Sequence, residues 1–294
     1  MIFEYDLRRD CGMRQRKRLT ELLEQKTVPI GMQCFTGNHT LIEVLGATGF
    51  DYVWLDSEHS ALNPHALEDT MRTCEVAGLI PLVRIPEPTD GTSARRALEA
   101  GAEGIIVPMV RSAEDVHAII NALTFPPAGI RGLCPALRVP GYTLPGFTAY
   151  MRENDANLLI IPMIETVEAL EHVDEICAIE QVKVLVFAPG ELGFAMGEGT
   201  NMHSSPKVQA AQKTVHAAAQ RHGVAVIGGP MLNPTKEGCA QAFDDGISML
   251  CLGLDVLAFR QLCENTIAAA NAAVEDNATY NRPPAPPSGF PTSY

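Results

Sequence analysis

The sequence has no CxxC pair, no apolar run long enough to cross a bilayer, and no surplus of basic residues. Its eight cysteines stand singly along 294 residues. That excludes a zinc cluster of the paired-cysteine kind and suits buried free thiols in a reducing compartment. The longest uninterrupted apolar stretch is LLIIPMI, at 158–164. A membrane-spanning helix needs roughly 20 such residues, so no membrane partner is expected. Lys and Arg number 22 against 35 Asp and Glu, a formal charge of −13. Binding to a phosphate backbone needs clustered cations, so nucleic acid is not an expected partner. The exception is the basic run RRDCGMRQRKR, at 8–18, which reads as a solvated N-terminal arm. The first ten residues lack the apolar core of a signal peptide, and a cytoplasmic location is expected.

What the chain does have is alternation. Eight short apolar runs are separated by helix-like stretches. The runs are Val28–Phe35, Tyr52–Asp56, Ile80–Ile85, Gly104–Val110, Asn157–Glu165, Val182–Ala188, Val224–Gly229 and Ile247–Gly253. None shows strict apolar–polar alternation, which marks strands covered on both faces, as in parallel sheets. Several of the intervening stretches open with Ser, Thr or Asn and close on Gly. Ser112 followed by Asp115 predicts a capping arrangement, and Pro64 suits a first helical turn. Phe125–Tyr150 is rich in Gly and Pro and reads as a long loop with one short helix near its end. The pattern predicts an α/β fold, a (β/α)8 barrel, over residues 19–275 including a C-terminal helix. An arm at 1–18 and a Pro-rich tail at 276–294 flank it. An open doubly wound sheet is the competitor, but TGNH, after the first run, is no glycine-rich phosphate loop.

In such a barrel the carboxyl ends of the strands carry the chemistry. The second run ends in DSEHS, which supplies Asp56, Glu58 and His59. The third ends in Arg84 and the fifth in Glu165, while the sixth leads into Pro189, Gly190 and Glu191. Taken singly, each has an ordinary reading: a surface histidine, an ion-paired arginine, an acid in a first helical turn. Together they predict a pocket. Carboxylates on neighbouring strand ends suit a hard divalent cation. A 2-oxo acid can chelate that cation, Arg84 can bind the substrate by charge-assisted hydrogen bonds, and His59, oriented by Asp56, fits a general base.

GFDYVWLDSEHS, PLVRIP, ALEAGAEGIIVPMV, PPAGIRG, IPMIETVEAL and ELGFAMG together resemble the HpcH/HpaI family of class II pyruvate aldolases, in its order and spacing, from about Leu19 to about Ala270. The resemblance implies a TIM barrel of the phosphoenolpyruvate/pyruvate-domain type. It also implies a divalent metal (Mg²⁺, Mn²⁺ or Co²⁺) and cleavage or formation of 4-hydroxy-2-oxo acids through a pyruvate enolate. The implied partners are pyruvate or oxaloacetate with an aldehyde or other electrophile, and the implied assembly is a homo-oligomer, trimer or hexamer, often with a swapped C-terminal helix. By the same resemblance His59 is the catalytic histidine, Asp56 its partner in LDxEH, and Arg84 the residue that stabilises pyruvate and its enolate. Glu165 and Glu191 are the metal carboxylates, and the amides around Gly190 meet the substrate carboxylate. Gln33 and the loop at 229–232, with Met231, line the second-substrate end. Three positions depart from the family pattern: Glu191 for Asp, Ser57 for Gly, and Met163 for Gln. The longer Glu191 moves its carboxylate by about 1.5 Å. Two other functions compete with the aldolase reading. One is a biosynthetic enzyme that decarboxylates oxaloacetate and condenses the same enolate. The other is a catalytically silent subunit that binds a 2-oxo acid.

Overall fold

Strands β1 (Ile30–Cys34), β2 (Tyr52–Asp56), β3 (Ile80–Arg84), β4 (Gly104–Val107), β5 (Ile160–Ile164), β6 (Val184–Phe187), β7 (Ala225–Gly228) and β8 (Met249–Leu254) pair in chain order, all parallel. β8 returns to β1 to close the barrel. The computed structural model describes residues 18–199, 205–229, 234–277, 279–281 and 283. The expected (β/α)8 barrel is therefore the observed fold. The expected arm, apart from Arg18, and most of the expected tail lie outside the described residues. The chain divides into two compact units, Met1–Asp255 and Val256–Tyr294, and the barrel occupies the first.

Why the strands lack polar alternation is visible in where their side chains go. One face of each strand packs under the surrounding helices. Val53, Leu55, Val83, Ile105, Ile160, Leu185 and Val226 belong to this outer core. The other face fills the barrel. Tyr52, Trp54, Ile80, Leu82, Ile106, Ile161, Met163, Val184, Val186, Ile227 and Met249 form that inner core. Each such side chain contributes about 1.5–3 kcal/mol on burial, so both faces select apolar residues. Helix α1 (Leu19–Glu24) adds Leu19 and Leu22 to the inner core, and the Leu19 amide donates to the Glu103 carboxylate just before β4. Gly31 is required by close approach. A Cβ there would stand 2.4 Å from the Tyr52 ring, which is fully buried with its hydroxyl on the Leu250 carbonyl at 3.0 Å.

The helices on the outside begin as the capping residues predict. Asn38 caps α2 (His39–Thr48), Asn63 with Pro64 starts α3 (Pro64–Ala77), and Asp90 caps α4 (Gly91–Ala100). Helix α5 (Ala113–Leu123) differs from expectation. Ser112 occupies its N-cap but makes no side-chain cap bond, and Asp115 instead accepts the Arg111 amide at 2.8 Å. The segment expected to be mostly loop ends in a full helix, α6 (Leu144–Asn157). Only Phe147 on it is buried, so it presents no apolar stripe for the sequence to display. Ahead of it, Arg131 of the PPAGIRG motif pins the connection from inside. Its guanidinium lies 4.6 Å from the Phe125 ring centroid and donates to Asn154 Oδ1 at 2.7 Å and the Tyr150 hydroxyl at 2.6 Å. No helix among the described residues is long and apolar enough to cross a membrane.

Candidate active site

Strand parity delivers the site. Tyr52, Trp54 and Asp56 share one face of β2, Ile80, Leu82 and Arg84 one face of β3, and Ile161, Met163 and Glu165 one face at the end of β5. The last residue of that face on each strand is polar, so the barrel interior changes from apolar to ionisable at its carboxyl rim. Register then sets the partners: β2 and β3 pair with Asp56 opposite Arg84.

The two form a buried ion pair through Arg84 Nη2, with Asp56 fully buried and Arg84 5% exposed. Asp56 is held from every side. Gln33 Nε2 donates to its Oδ2 at 2.8 Å, and the amides of Glu58 and His59 donate to its Oδ1 at 3.0 and 2.8 Å. Ser60 Oγ closes the turn onto the Asp56 carbonyl. The DSEHS stretch is therefore a turn wound around one carboxylate. Asp56 meets His59 through its main chain, rather than through the ring as the orienting role expected of it would have it. The carboxylate beside the ring is Glu58, whose Oε2 lies 3.6 Å from His59 Nε2 and 2.9 Å from Arg84 Nη1. The histidine ring itself is exposed. Arg84 also lies over Trp54, 5.5 Å from its ring centroid, and approaches Met163 Sδ at 3.9 Å, the position at which the resemblance expects Gln.

Glu165 follows β5 directly and is 3% exposed. Its Oε1 accepts the Met109 amide at 2.5 Å, from a residue in the left-handed region at φ 50°. Burial pushes the Glu165 carboxyl up to about 7. Repulsion from Glu191 and Glu58 adds to the rise, while the Met109 amide and Arg84 oppose it. Glu58 is raised as well, first by burial and with contributions from Asp56 and Glu191, against the pull of Arg84 and His59. Glu191 stands in the first turn of α7 (Pro189–Ala195) and is exposed, and Gly190 precedes it in the same turn. Met231 lies outside the described residues.

The structure thus brings Gln33, Asp56 and Arg84 into one bonded cluster with the turn that carries His59, and Glu165 and Glu191 within electrostatic reach of it. Glu58 was visible in the sequence as a strand-end acid but carried no role. Its place against Arg84 follows from the turn around Asp56, which no spacing rule announces. Among the described residues, no three His, Cys, Asp or Glu side chains are grouped closely enough to hold a metal by themselves. The donor set still fits a hard divalent cation. Such ions take one or two protein carboxylates and complete their shell with water and substrate, and Glu165 is held part-neutral first by burial and then by its acidic neighbours.

The family model described as HpcH/HpaI aldolase/citrate lyase matches residues 30–261. The chain belongs to the HpcH/HpaI family. It is 29% identical over 233 residues to a 5-keto-4-deoxy-D-glucarate aldolase from Klebsiella pneumoniae, covering 79% of this chain and 88% of that protein. Among solved structures, an HpcH/HpaI aldolase from Desulfitobacterium hafniense superposes with a TM-score of 0.78 at 26% identity, over 86% of this chain and 96% of the other. Macrophomate synthase gives a TM-score of 0.80 at 25% identity, over 94% and 100%. The closed barrel places the Asp56–Arg84 pair and Glu165 together at the carboxyl ends of its strands.

Proposed function

We propose that this HpcH/HpaI member is a carbon–carbon lyase, an aldolase that cleaves or forms a 4-hydroxy-2-oxo acid through a pyruvate enolate. The observation that carries the reading is the sheet register that sets Arg84 against Asp56 on the rim shared with Glu165. Glu165 and Glu191 would hold the divalent cation, Mg²⁺, Mn²⁺ or Co²⁺, and when bound it supplies Lewis-acid polarisation of the substrate's keto oxygen. Arg84 binds the developing oxyanion by charge-assisted hydrogen bonds, each tenfold in rate being worth about 1.4 kcal/mol. Asp56 positions Arg84 and, through two amides, the turn that carries His59. His59, exposed at the rim, takes the proton of the 4-hydroxyl as the C3–C4 bond breaks. The bonding pair passes to the pyruvate enolate, the aldehyde leaves, and His59 returns its proton to C3 to complete pyruvate. The amides near Gly190 fit the substrate carboxylate, with Gln33 toward the aldehyde.

A homo-oligomer belongs to the same reading. Val256, Leu257, Phe259, Leu262 and Ile267 of α8 (Asp255–Glu275) are exposed apolar side chains suited to a second copy, and light scattering reads the mass directly.

The likeness to a synthase motivates the second reading, oxaloacetate decarboxylation followed by condensation. Assays of retro-aldol cleavage and of oxaloacetate decarboxylation, each with and without EDTA, separate the two. Cleavage that disappears in EDTA supports the lyase. Decarboxylation without any cleavage supports the condensing enzyme, and activity indifferent to EDTA contradicts the metal in both.

A further inference from the structure

We infer that Glu58 is an internal competitor for the substrate at Arg84: its carboxylate occupies the side of the guanidinium that an incoming 2-oxo acid must take. The inference rests on the reading of a 2-oxo acid at this rim. Its basis is the unequal way in which Arg84 is held. Nη2 is committed to Asp56, which is fully buried and fixed by Gln33 and two backbone amides. Nε is buried and makes no hydrogen bond among the described residues. Nη1 faces Glu58, whose side chain is 15% exposed against 0% for Asp56.

Glu58 is the carboxylate that can leave. It sits on a turn and not in a strand, and its ion-pair partners are Arg84 at 2.9 Å and His59 at 3.6 Å. Its Oε2 is buried without a hydrogen bond among the described residues, and burial, then Asp56 and Glu191, oppose its charge against the pull of Arg84 and His59. One guanidinium serving two carboxylates has no charge left for a third anion, so a substrate carboxylate or oxyanion binds Arg84 only in molecules from which Glu58 has withdrawn. A ligand that requires a minor conformer loses affinity in proportion to that conformer's population. A divalent cation shared by Glu165 and Glu191 would draw Glu58 away from Arg84 by attraction, which makes substrate binding conditional on the cation. Glu58 is accordingly a positioning residue that sets the order of binding.

The test is calorimetric titration of oxalate, a planar dianion of the size of a pyruvate enolate, into wild type, Glu58→Gln and Glu58→Ala. Each is measured in EDTA and in saturating Mg²⁺. Gln keeps the shape and removes the charge, and Ala removes the occupant, so a folding defect in one leaves the other to decide. In EDTA both variants should bind oxalate about tenfold more tightly than wild type. In Mg²⁺ the difference should shrink to under about threefold. Variants that bind oxalate no better than wild type in EDTA overturn the inference. Wild type that fails to bind oxalate even in Mg²⁺ overturns the reading beneath it instead.

Discussion

Titrating Mg²⁺ into the metal-free protein across a range of pH reads the charge state of Glu165. This carboxyl is 3% exposed and is raised to about 7 from an ordinary 4.5, chiefly by burial. A cation binds the ionised form, so a protonated Glu165 must first lose its proton. With a value near 7, about 0.9 of the molecules carry that proton at pH 6 and about 0.1 at pH 8. Calorimetry in buffers of different ionisation enthalpy should therefore count about 0.9 proton released per Mg²⁺ at pH 6 and about 0.1 at pH 8. Apparent affinity should fall about tenfold for each pH unit below 7. The same group acts on folding with a definite sign. Its folded value lies above its unfolded one, so between pH 4.5 and about 7 the folded state binds more protons. Metal-free stability should then decline as pH rises through that window, by up to ~3 kcal/mol, and Glu165→Gln should flatten the decline. Release below about 0.2 proton at pH 6, or full release retained in Glu165→Gln, would refute the reasoning.

Removing Asp56 should be costly. Asp56→Ala takes from a buried guanidinium its fully buried partner and leaves two turn amides without an acceptor, and a loss of about 3–5 kcal/mol is expected in denaturant unfolding, with under 1 kcal/mol contradicting the pairing. Arg131→Met deletes the bonds to Asn154 and Tyr150 and the contact with Phe125. It should cost about 2–4 kcal/mol and speed proteolysis within residues 124–143, while an unchanged cleavage rate would deny Arg131 its pinning role.

The barrel was legible because its cause is periodic. Two covered faces per strand leave continuous apolar runs such as YVWLD, and caps such as Asn63-Pro64 mark where helices resume. Helix α6 was not, because a helix that buries one residue carries no stripe. At the site, strand ends announced Asp56, Arg84 and Glu165, since an ionisable residue closing an apolar run has to face something polar. Side-chain pairing was less legible. The sequence joins Asp56 to His59 as neighbours in one motif, but three-dimensional register gives the carboxylate to Arg84 and Gln33 and leaves Glu58 beside the imidazole. Likewise the effect of Glu191 on Glu165 depends on the pairing of β5 with β6, which leads into α7, and no local spacing encodes it.

Proton exchange at the methyl group of deuterated pyruvate, followed by NMR across a metal series, tests enolate formation without any second substrate. Exchange is predicted with Mg²⁺, Mn²⁺ or Co²⁺ and little in chelator. Glu165→Ala should abolish it, and His59→Ala should slow it strongly while leaving metal affinity near that of wild type. No exchange with any of the three ions, or exchange that proceeds equally in chelator, would contradict the account.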